Sequence, residues 1–270
     1  MTQTPLVPVL GLEYHRRMAL LEEYDGFLID IDGVVLLGED PLPGAVDALA
    51  RLADSGKPYA FVTNNPRLSG EEHAELLRRR GIEAADGQVL TSARTLISLV
   101  LEGPGKGSPA VVVGTDSFLR QVDEAGIEPL PLDEWRRAES VMVSGHEEFS
   151  YPELRAAAMA AREGALLGAT GRDPTMPMPD GPWPGTGAIL AAIETASGVE
   201  ATVTGKPEPA IFETGLDLLG RPDRVAMVGD RPDSDIAGAK AVGIAGILVT
   251  EGSDPAGADH LIRDLAELVG

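Results

Sequence analysis

The sequence contains no cysteine among its 270 residues. A disulfide framework, a thiolate metal site and a cysteine nucleophile are therefore excluded. It also lacks any apolar run that approaches the roughly 20 residues needed by a membrane-spanning helix. The first residues show none of the basic, apolar and small-residue sections of a secretory signal, and from this we expect a cytoplasmic protein.

Positive charge is scarce as well, because 22 lysine and arginine residues stand against 43 aspartate and glutamate residues and give a formal net charge of −21. Such a surface repels nucleic acid and anionic membranes, so we expect neither as a partner. It would also repel a phosphorylated substrate at long range. Any phosphate site must therefore be local and must combine a cation, backbone N–H groups and a lysine. The chain has only four lysines, at positions 57, 106, 206 and 240.

The order of apolar segments predicts an α/β protein. Short apolar strands alternate with helical patterns over residues 26–80, which is typical of a parallel sheet with right-handed crossovers. A second series of strands and helices fills the middle of the chain, and the first pattern returns after Gly205. We therefore predict a parallel-sheet core formed by residues 1–83 and 196–270, interrupted by an inserted α/β domain at 84–195.

Four local patterns add detail to this fold. A short helix around 12–22 opens the chain, and a helix at 261–268 closes it. Residues 171–187 are dense in proline and glycine, so we expect a long shaped loop, a feature that is usually functional or disordered. Ser69 and Glu72 have the spacing of a capping box and predict where the helix after the second strand begins.

The stretch from Gly26 to Val35 carries two carboxylates, Asp30 and Asp32, followed by Gly33. If the strand ends near Asp30, both carboxylates can turn into one space at its tip, because residues two apart lie on the same face. Two carboxylates there suit Mg²⁺, and they can act as a nucleophile and as a proton donor and acceptor. An ordinary strand that ends in an acidic turn is the alternative.

Two further polar clusters lie at or beside predicted strand ends, where open parallel sheets bind ligands. A hydroxyl and backbone N–H groups in Thr63, Asn64 and Asn65 could bind phosphoryl oxygens, although Thr-Asn-Asn-Pro is also a good turn. Lys206, in Gly-Lys-Pro, could neutralise the charge of a phosphate and hold a nucleophilic carboxylate. An ordinary solvated lysine is the alternative for that position.

The last cluster follows an apolar strand near the end of the chain. The strand delivers Asp230 to its tip, and Asp235 lies five residues further on, at the start of the next helix. Acidic residues also stabilise helix starts for purely structural reasons. That explanation fits the residues between the two aspartates better than it fits Asp230.

Taken together and in this order, the clusters resemble the haloacid dehalogenase-like (HAD) superfamily, subclass IIA, which contains the nitrophenyl-phosphatases and the NagD-like phosphatases. The resemblance rests on Asp-x-Asp-Gly-Val, Thr-Asn-Asn-Pro, Gly-Lys-Pro and Gly-Asp-x-x-x-x-Asp-Ile-Ala-Gly-Ala, and it covers about residues 25–249. It implies a Rossmann-like core with an inserted cap domain and Mg²⁺-dependent hydrolysis of small phosphomonoesters through an aspartyl phosphate. Expected substrates are glycerol 3-phosphate, sugar phosphates and nucleoside monophosphates, and such proteins can form homodimers through the cap.

The resemblance also implies a role for each matching residue. Asp30 is the expected nucleophile, and Asp32 is the expected acid that protonates the leaving oxygen and then activates water. Asp30, the backbone carbonyl of Asp32 and the carboxylate of Asp230 would hold Mg²⁺, with Asp235 as a supporting partner outside the metal ligands. Four polar residues would bind the transferring phosphoryl group: Thr63, Asn64, Asn65 and Lys206.

Two positions depart from the family pattern. Relatives often read Ala-Thr-Asn-x-Asp where this chain has Ala-Thr-Gly-Arg-Asp, so Gly171 lacks any substrate contact that the asparagine makes. Met176 stands where the vertebrate pyridoxal-phosphate phosphatases of the subclass carry a histidine, which argues against that substrate. Asp173 and the loop at 174–187 are then the best candidates for substrate choice, and a cap loop without substrate contact is the alternative.

Two other functions remain open on the sequence. A phosphoryl transferase or mutase would use the same scaffold with an acceptor other than water. A binding or regulatory protein would keep the fold without turnover. The intact set of Asp30, Asp32, Lys206 and Asp230 counts against the latter.

Overall fold

The computed structural model describes residues 20–178 and 181–270. The helix expected around 12–22 lies mostly outside these residues, and the described chain begins with a short helix, α1 (Leu20–Glu23). Within the described ranges, none of the helices combines the length and the apolar character that crossing a membrane requires.

The strands and helices follow the predicted alternation. The strands are β1 (Gly26–Asp30), β2 (Leu36–Leu37), β3 (Asp40–Pro41), β4 (Tyr59–Thr63), β5 (Val89–Thr91), β6 (Pro109–Val113), β7 (Glu128–Pro129), β8 (Ser140–Val143), β9 (Leu166–Ala169), β10 (Thr175–Met178), β11 (Gly181–Pro184), β12 (Thr202–Val203), β13 (Val225–Gly229), β14 (Ala245–Val249) and β15 (His260–Ile262). The helices after α1 are α2 (Ala45–Asp54), α3 (Gly70–Arg79), α4 (Ser92–Glu102), α5 (Asp116–Glu124), α6 (Tyr151–Arg162), α7 (Thr186–Ser197), α8 (Pro209–Leu218), α9 (Ala237–Ala241) and α10 (Ala266–Val269). A 3₁₀ segment covers Leu132–Arg137, and a π-helical segment covers Pro232–Ile236.

The larger sheet has six parallel strands in the order β15-β14-β13-β1-β4-β5. The central strand β1 is buried along its whole length. It sends Phe27 and Ile29 into the cluster formed with α2, α3 and α10, and Leu28 into the cluster formed with α8 and α9. Helices therefore cover both faces of the sheet, which explains why the strand reads as a continuous apolar run.

The second sheet has five parallel strands in the order β12-β9-β8-β6-β7. Helices α6 and α7 pack on one face, and α4 and α5 pack on the other. The sheets together form the predicted α/β architecture, in which a parallel-sheet core carries an inserted α/β cap domain.

Two short strands pair with the sheet of the other domain from the one that their predicted ranges indicate. Strand β5 pairs with β4 in the core sheet, although it lies inside the range 84–195 expected for the insertion. Strand β12 pairs with β9 in the cap sheet, although it lies inside the range 196–270 expected for the core. By sheet membership, the chain leaves the core after Thr91 and returns after Val203.

The closing segment differs from the prediction of one helix at 261–268. Residues 260–262 form β15, which pairs in parallel with β14 at the edge of the core sheet. The helix begins only at Ala266, whose N–H donates to Oδ1 of Asp264 at 2.9 Å. The apolar spacing of this segment fits a helix, but pairing with an exposed sheet edge satisfies backbone groups that a helix would leave at that edge.

The composition of the proline-rich segment at 171–187 predicts a long loop, but the segment contains two paired strands. Strands β10 and β11 pair as an antiparallel ribbon, with Thr175 opposite Pro184 and Met176 opposite Trp183. Prolines are tolerated because the ribbon has only two strands, so each strand keeps an edge that needs no ladder donor. The amino-acid composition of this segment therefore does not reveal the antiparallel pairing of its strands.

The capping box at the start of α3 is confirmed. The N–H of Glu72 donates to Oγ of Ser69 at 3.1 Å, and the N–H of Ser69 donates to Oε2 of Glu72 at 2.7 Å. Both bonds satisfy N–H groups that a helix start otherwise leaves unpaired.

We expect the substitution Ser69→Ala to lower the free energy of unfolding by about 1 kcal/mol, because it removes the acceptor for the Glu72 N–H. Urea denaturation followed by circular dichroism measures the change. Ser69→Asp retains a side-chain acceptor and serves as the matched control, with a smaller loss. Equal stability of Ser69→Ala and the unmodified protein would contradict this account of the helix start.

Candidate active site

The predicted clusters converge at the carboxyl edge of the core sheet. Strand β1 ends at Asp30, strand β4 ends at Thr63, and Asp230 directly follows β13. Because β1 lies between β4 and β13, these three strand ends are neighbours. Lys206 reaches the same place from the segment that returns from the cap. Residues far apart in the sequence therefore form one site, as the sequence predicted.

The centre of the site is a buried ammonium group. Nζ of Lys206 lies 2.7 Å from Oδ1 of Asp30 and 2.7 Å from Oδ1 of Asp235. It also donates to the backbone carbonyl of Val62 at 3.4 Å. The Lys206 side chain is only 3% exposed, so the alternative of a solvated surface lysine is wrong.

Two carboxylates contact this ammonium, and a third carboxylate, on Asp230, lies close to them. One oxygen each of Asp30, Asp230 and Asp235 lies within 4.8 Å of the others. Together with the ammonium of Lys206 they leave a formal charge of −2 in a largely buried space. Oδ1 of Asp230 is buried without a hydrogen-bond partner. Buried charge needs a partner, and an oxygen-rich cluster with an unpaired carboxylate oxygen fits a divalent cation such as Mg²⁺.

The pKa values reflect the crowding of these carboxylates. Burial raises the pKa of Asp30 to about 8, Lys206 opposes that rise, and Asp235 adds to it. Burial and the neighbouring Asp235 also raise the pKa of Asp230. Burial would lower the pKa of Lys206, but the two carboxylates outweigh it and raise that pKa above its usual value. A cation among the carboxylates would favour their ionised forms.

Asp32 lies outside the carboxylate cluster and faces solvent. Its Oδ2 accepts a hydrogen bond from Oγ1 of Thr63 at 3.1 Å, and Oγ1 of Thr63 accepts one from the N–H of Asn65 at 3.0 Å. An exposed carboxylate beside the nucleophile candidate can exchange protons with a leaving group and with water. A role of the Asp32 backbone carbonyl as a metal ligand stays a prediction.

The two asparagines that follow β4 use their side chains locally. The amide of Asn64 forms hydrogen bonds with the backbone N–H and carbonyl of Lys206. Oδ1 of Asn65 accepts from the N–H of Arg67 at 3.1 Å. Phosphate binding by either residue stays a prediction, for which the backbone N–H of Asn64 is better suited than its side chain.

Two arginines that sequence reasoning missed join the core to the cap beside the site. Nη1 of Arg231 lies 3.0 Å from Oδ1 of Asp173, and Nη2 of Arg67 lies 2.7 Å from Oε1 of Glu147. In a chain so poor in cations, their positions directly after Asp230 and after the Thr-Asn-Asn-Pro segment were a usable signal. Substrate contact by Asp173 stays a prediction, and its partner here is a core arginine.

A cavity of about 260 Å³ lies beside this core–cap contact and is lined mainly by apolar cap residues. Met176 and Trp183 of the β10–β11 ribbon contribute to it, together with Phe149 and Glu147. A larger hollow of about 500 Å³ is lined by Tyr24 and residues at the amino ends of β14 and β15, so it belongs to the opposite edge of the sheet.

The sequence matches two family models. The haloacid dehalogenase-like hydrolase model covers residues 27–128, and the HAD-hydrolase-like model covers residues 203–268. D-glycerol 3-phosphate phosphatase of Mycobacterium tuberculosis is 36% identical over 240 residues, which are 88% of this chain and 66% of that protein, slightly less than two thirds. Mouse chronophin is 39% identical over 243 residues, which are 86% of this chain and 83% of that protein.

Solved structures agree with these matches. The glycerol phosphate phosphatase of Mycobacterium tuberculosis in complex with magnesium superposes with a TM-score of 0.83 at 33% identity, over 93% of this chain and 78% of that one. The p-nitrophenyl phosphatase of Archaeoglobus fulgidus superposes with a TM-score of 0.84 at 31% identity, over 91% of this chain and 98% of that one. The chain therefore belongs to the haloacid dehalogenase-like hydrolases and is a phosphatase of that family.

Proposed function

We propose that this protein hydrolyses small phosphomonoesters with Mg²⁺, and that Asp30 carries the phosphoryl group as an aspartyl phosphate. The observation that carries the proposal is the buried ammonium of Lys206, held against Asp30 inside a cluster with an excess of negative charge. A structural ion pair would balance its charges, whereas this cluster carries an excess of negative charge that a divalent cation would offset.

The carboxylates of Asp30 and Asp230 and the backbone carbonyl of Asp32 are the proposed Mg²⁺ ligands. Asp235, expected as a supporting partner, lies in the carboxylate cluster itself, where it pairs with Lys206 and accepts from the N–H of Arg231 at 3.0 Å. When bound, Mg²⁺ neutralises charge on the phosphoryl oxygens and favours the ionised form of the nucleophile.

The protein residues account for the proton and phosphoryl transfers. An oxygen of Asp30 attacks phosphorus while the bond to the leaving oxygen breaks, and Asp32 donates its proton to that oxygen. Asp32 then takes a proton from a water molecule, which attacks the aspartyl phosphate and releases inorganic phosphate. Lys206 holds Asp30 in place and stabilises the charge that develops on the phosphoryl group.

Small metabolites are the proposed substrates, with glycerol phosphate and sugar phosphates foremost. The similar proteins include D-glycerol 3-phosphate phosphatase and an acid sugar phosphatase of Staphylococcus aureus. The cap lies against the site through Asp173 and Glu147, so it would exclude bulky esters and bulk water. Nucleoside monophosphates remain on the panel of candidates, and comparison of kcat/KM across that panel would rank them.

The setting of this activity is also proposed. We propose a cytoplasmic location. We also propose neither nucleic acid nor a membrane as a partner, because the net charge of −21 repels nucleic acid and anionic membranes. A homodimer through the cap is the proposed assembly. Light scattering of the purified chain would test the dimer, and a mass of 28.3 kDa would count against it.

Hydrolysis is favoured over transfer to another acceptor because the relatives named above are phosphatases. A transferase or mutase would release little inorganic phosphate without its acceptor. A binding protein without turnover would release none from any ester. Phosphate release from a broad panel of esters therefore separates the three functions.

We expect Asp30→Asn to reduce Mg²⁺-dependent hydrolysis of 4-nitrophenyl phosphate by roughly 10³-fold or more, because the amide cannot form the covalent intermediate. Steady-state kinetics measure the loss. Asp86→Asn is the control, since Asp86 is exposed before β5, at the opposite edge of the sheet. Full turnover by Asp30→Asn would reject Asp30 as the nucleophile.

The backbone at Gly33 gives a separate test of the metal site. Gly33 has a φ of +87°, and a Cβ there would lie 2.2 Å from Oδ2 of Asp230. Gly38 also has a positive φ, of +64°, but a Cβ there would meet nothing within 4 Å. The two glycines share the left-handed backbone and differ in whether a side chain would displace Asp230.

We expect Gly33→Ala to raise the Mg²⁺ concentration for half-maximal activity by roughly tenfold or more, because it displaces a proposed ligand. Gly38→Ala shares the strain of a left-handed alanine but leaves Asp230 in place, so its Mg²⁺ requirement should not change. Titration of activity with Mg²⁺ measures both. An equal Mg²⁺ requirement in the two variants would contradict the assignment of Asp230 as a metal ligand.

A further inference from the structure

The amide side chain of Asn64 forms two hydrogen bonds with the backbone of Lys206, which lies 142 residues further along the chain. Nδ2 of Asn64 donates to the carbonyl of Lys206 at 2.9 Å, and the N–H of Lys206 donates to Oδ1 of Asn64 at 2.8 Å. An amide offers its donor and its acceptor on opposite sides, so only one orientation satisfies both backbone groups.

The surroundings leave little room for the Lys206 backbone to move. A Cβ at Gly205 would lie 2.3 Å from the carbonyl of Thr170 and 2.8 Å from Oδ1 of Asn64, so the chain passes there without space for a side chain. The backbone carbonyl of Asn64 in turn accepts from Oγ of Ser92 at 3.2 Å. Asn64 therefore bonds to both connections between core and cap. Its backbone contacts Ser92, where the chain leaves the core, and its side chain contacts Lys206, where the chain returns.

A lysine side chain is long and loses much rotamer freedom when it is fixed. The 2.7 Å contact between Nζ of Lys206 and Asp30 therefore depends on where the Lys206 backbone begins. We infer that Asn64 is a positioning residue, which fixes the backbone of Lys206 and thereby places the ammonium on Asp30. The inference rests on the proposed function, in which that ammonium also stabilises the transferring group.

This role differs from the phosphate contact predicted for the Asn64 side chain. A contact residue would act mainly on substrate binding and would leave the lysine in place. A positioning residue acts on the lysine itself, even in the absence of substrate. The reactivity of Lys206 toward an amine-modifying reagent reports on that difference without any turnover.

The test combines Asn64→Ala with acetylation of lysines by an N-hydroxysuccinimide ester, followed by mass spectrometry. Lys206 is buried, whereas Lys106 and Lys240 are exposed and give internal reference rates. We expect acetylation of Lys206 to accelerate by roughly tenfold and kcat for 4-nitrophenyl phosphate to fall by roughly 10- to 100-fold, since two hydrogen bonds are lost. The reference lysines should react at unchanged rates, and KM should change less than kcat.

Asn65→Ala is the matched control, because its side chain bonds to the N–H of Arg67 and not to Lys206. Its Lys206 should stay as protected as in the unmodified protein. Unchanged protection in Asn64→Ala, with the loss confined to KM, would overturn the inference in favour of direct substrate contact. Asn64→Asp keeps the acceptor and loses the donor, so it should shift both readouts in the same direction.

Folding is checked by thermal unfolding of each variant. If Asn64→Ala and Asn64→Asp both lost the folded state, Asn64 would be a general folding residue and the inference would be wrong. Failure of the proposed function has a different signature. In that case the unmodified protein would not hydrolyse the ester, or Lys206→Met would hydrolyse it normally, while acetylation would still decide whether Asn64 positions the lysine.

Discussion

The site depends on the contact between one buried ammonium and two buried carboxylates. Lys206 lies at 2.7 Å from both Asp30 and Asp235 and is nearly shielded from water. Removing the ammonium would leave both carboxylates buried without a compensating charge, which is costly in a protein interior. One ammonium balances only one carboxylate, so the second carboxylate and the third, on Asp230, leave the cluster with excess negative charge. The same contact therefore fixes the geometry of the site and creates its demand for a divalent cation.

The topology of the core explains how a chain can assemble such a cluster. The neighbours of β1 in the sheet are β4 and β13, so three strand ends from distant parts of the sequence open into one space. Helices cover both faces of these strands. The strand interiors are therefore apolar, and the polar residues lie at the strand tips. The insertion departs after β5 and returns after Val203, which places the ammonium of Lys206 on the connection between core and cap.

Much of this arrangement could be predicted from the sequence, because an apolar run that ends in a carboxylate marks both a strand and its tip. Other features lack a local signal. The segment at 260–262 has helical spacing, yet the free edge of β14 makes it a strand. The proline-rich ribbon resembles a loop in composition. The partner of Asn64 could not be predicted, because a Thr-Asn-Asn turn does not reveal where its amide points.

The contacts between the core and the cap differ in strength on the two sides of the site. Arg67 with Glu147 and Arg231 with Asp173 form ion pairs that are partly open to solvent, and exposed pairs of this kind contribute little. At the connections, Oγ1 of Thr204 donates to the carbonyl of Ser92 at 3.1 Å in a buried setting. The buried hydrogen bond at the connections therefore fixes the segment that precedes Lys206 more firmly than these arginine pairs fix the cap.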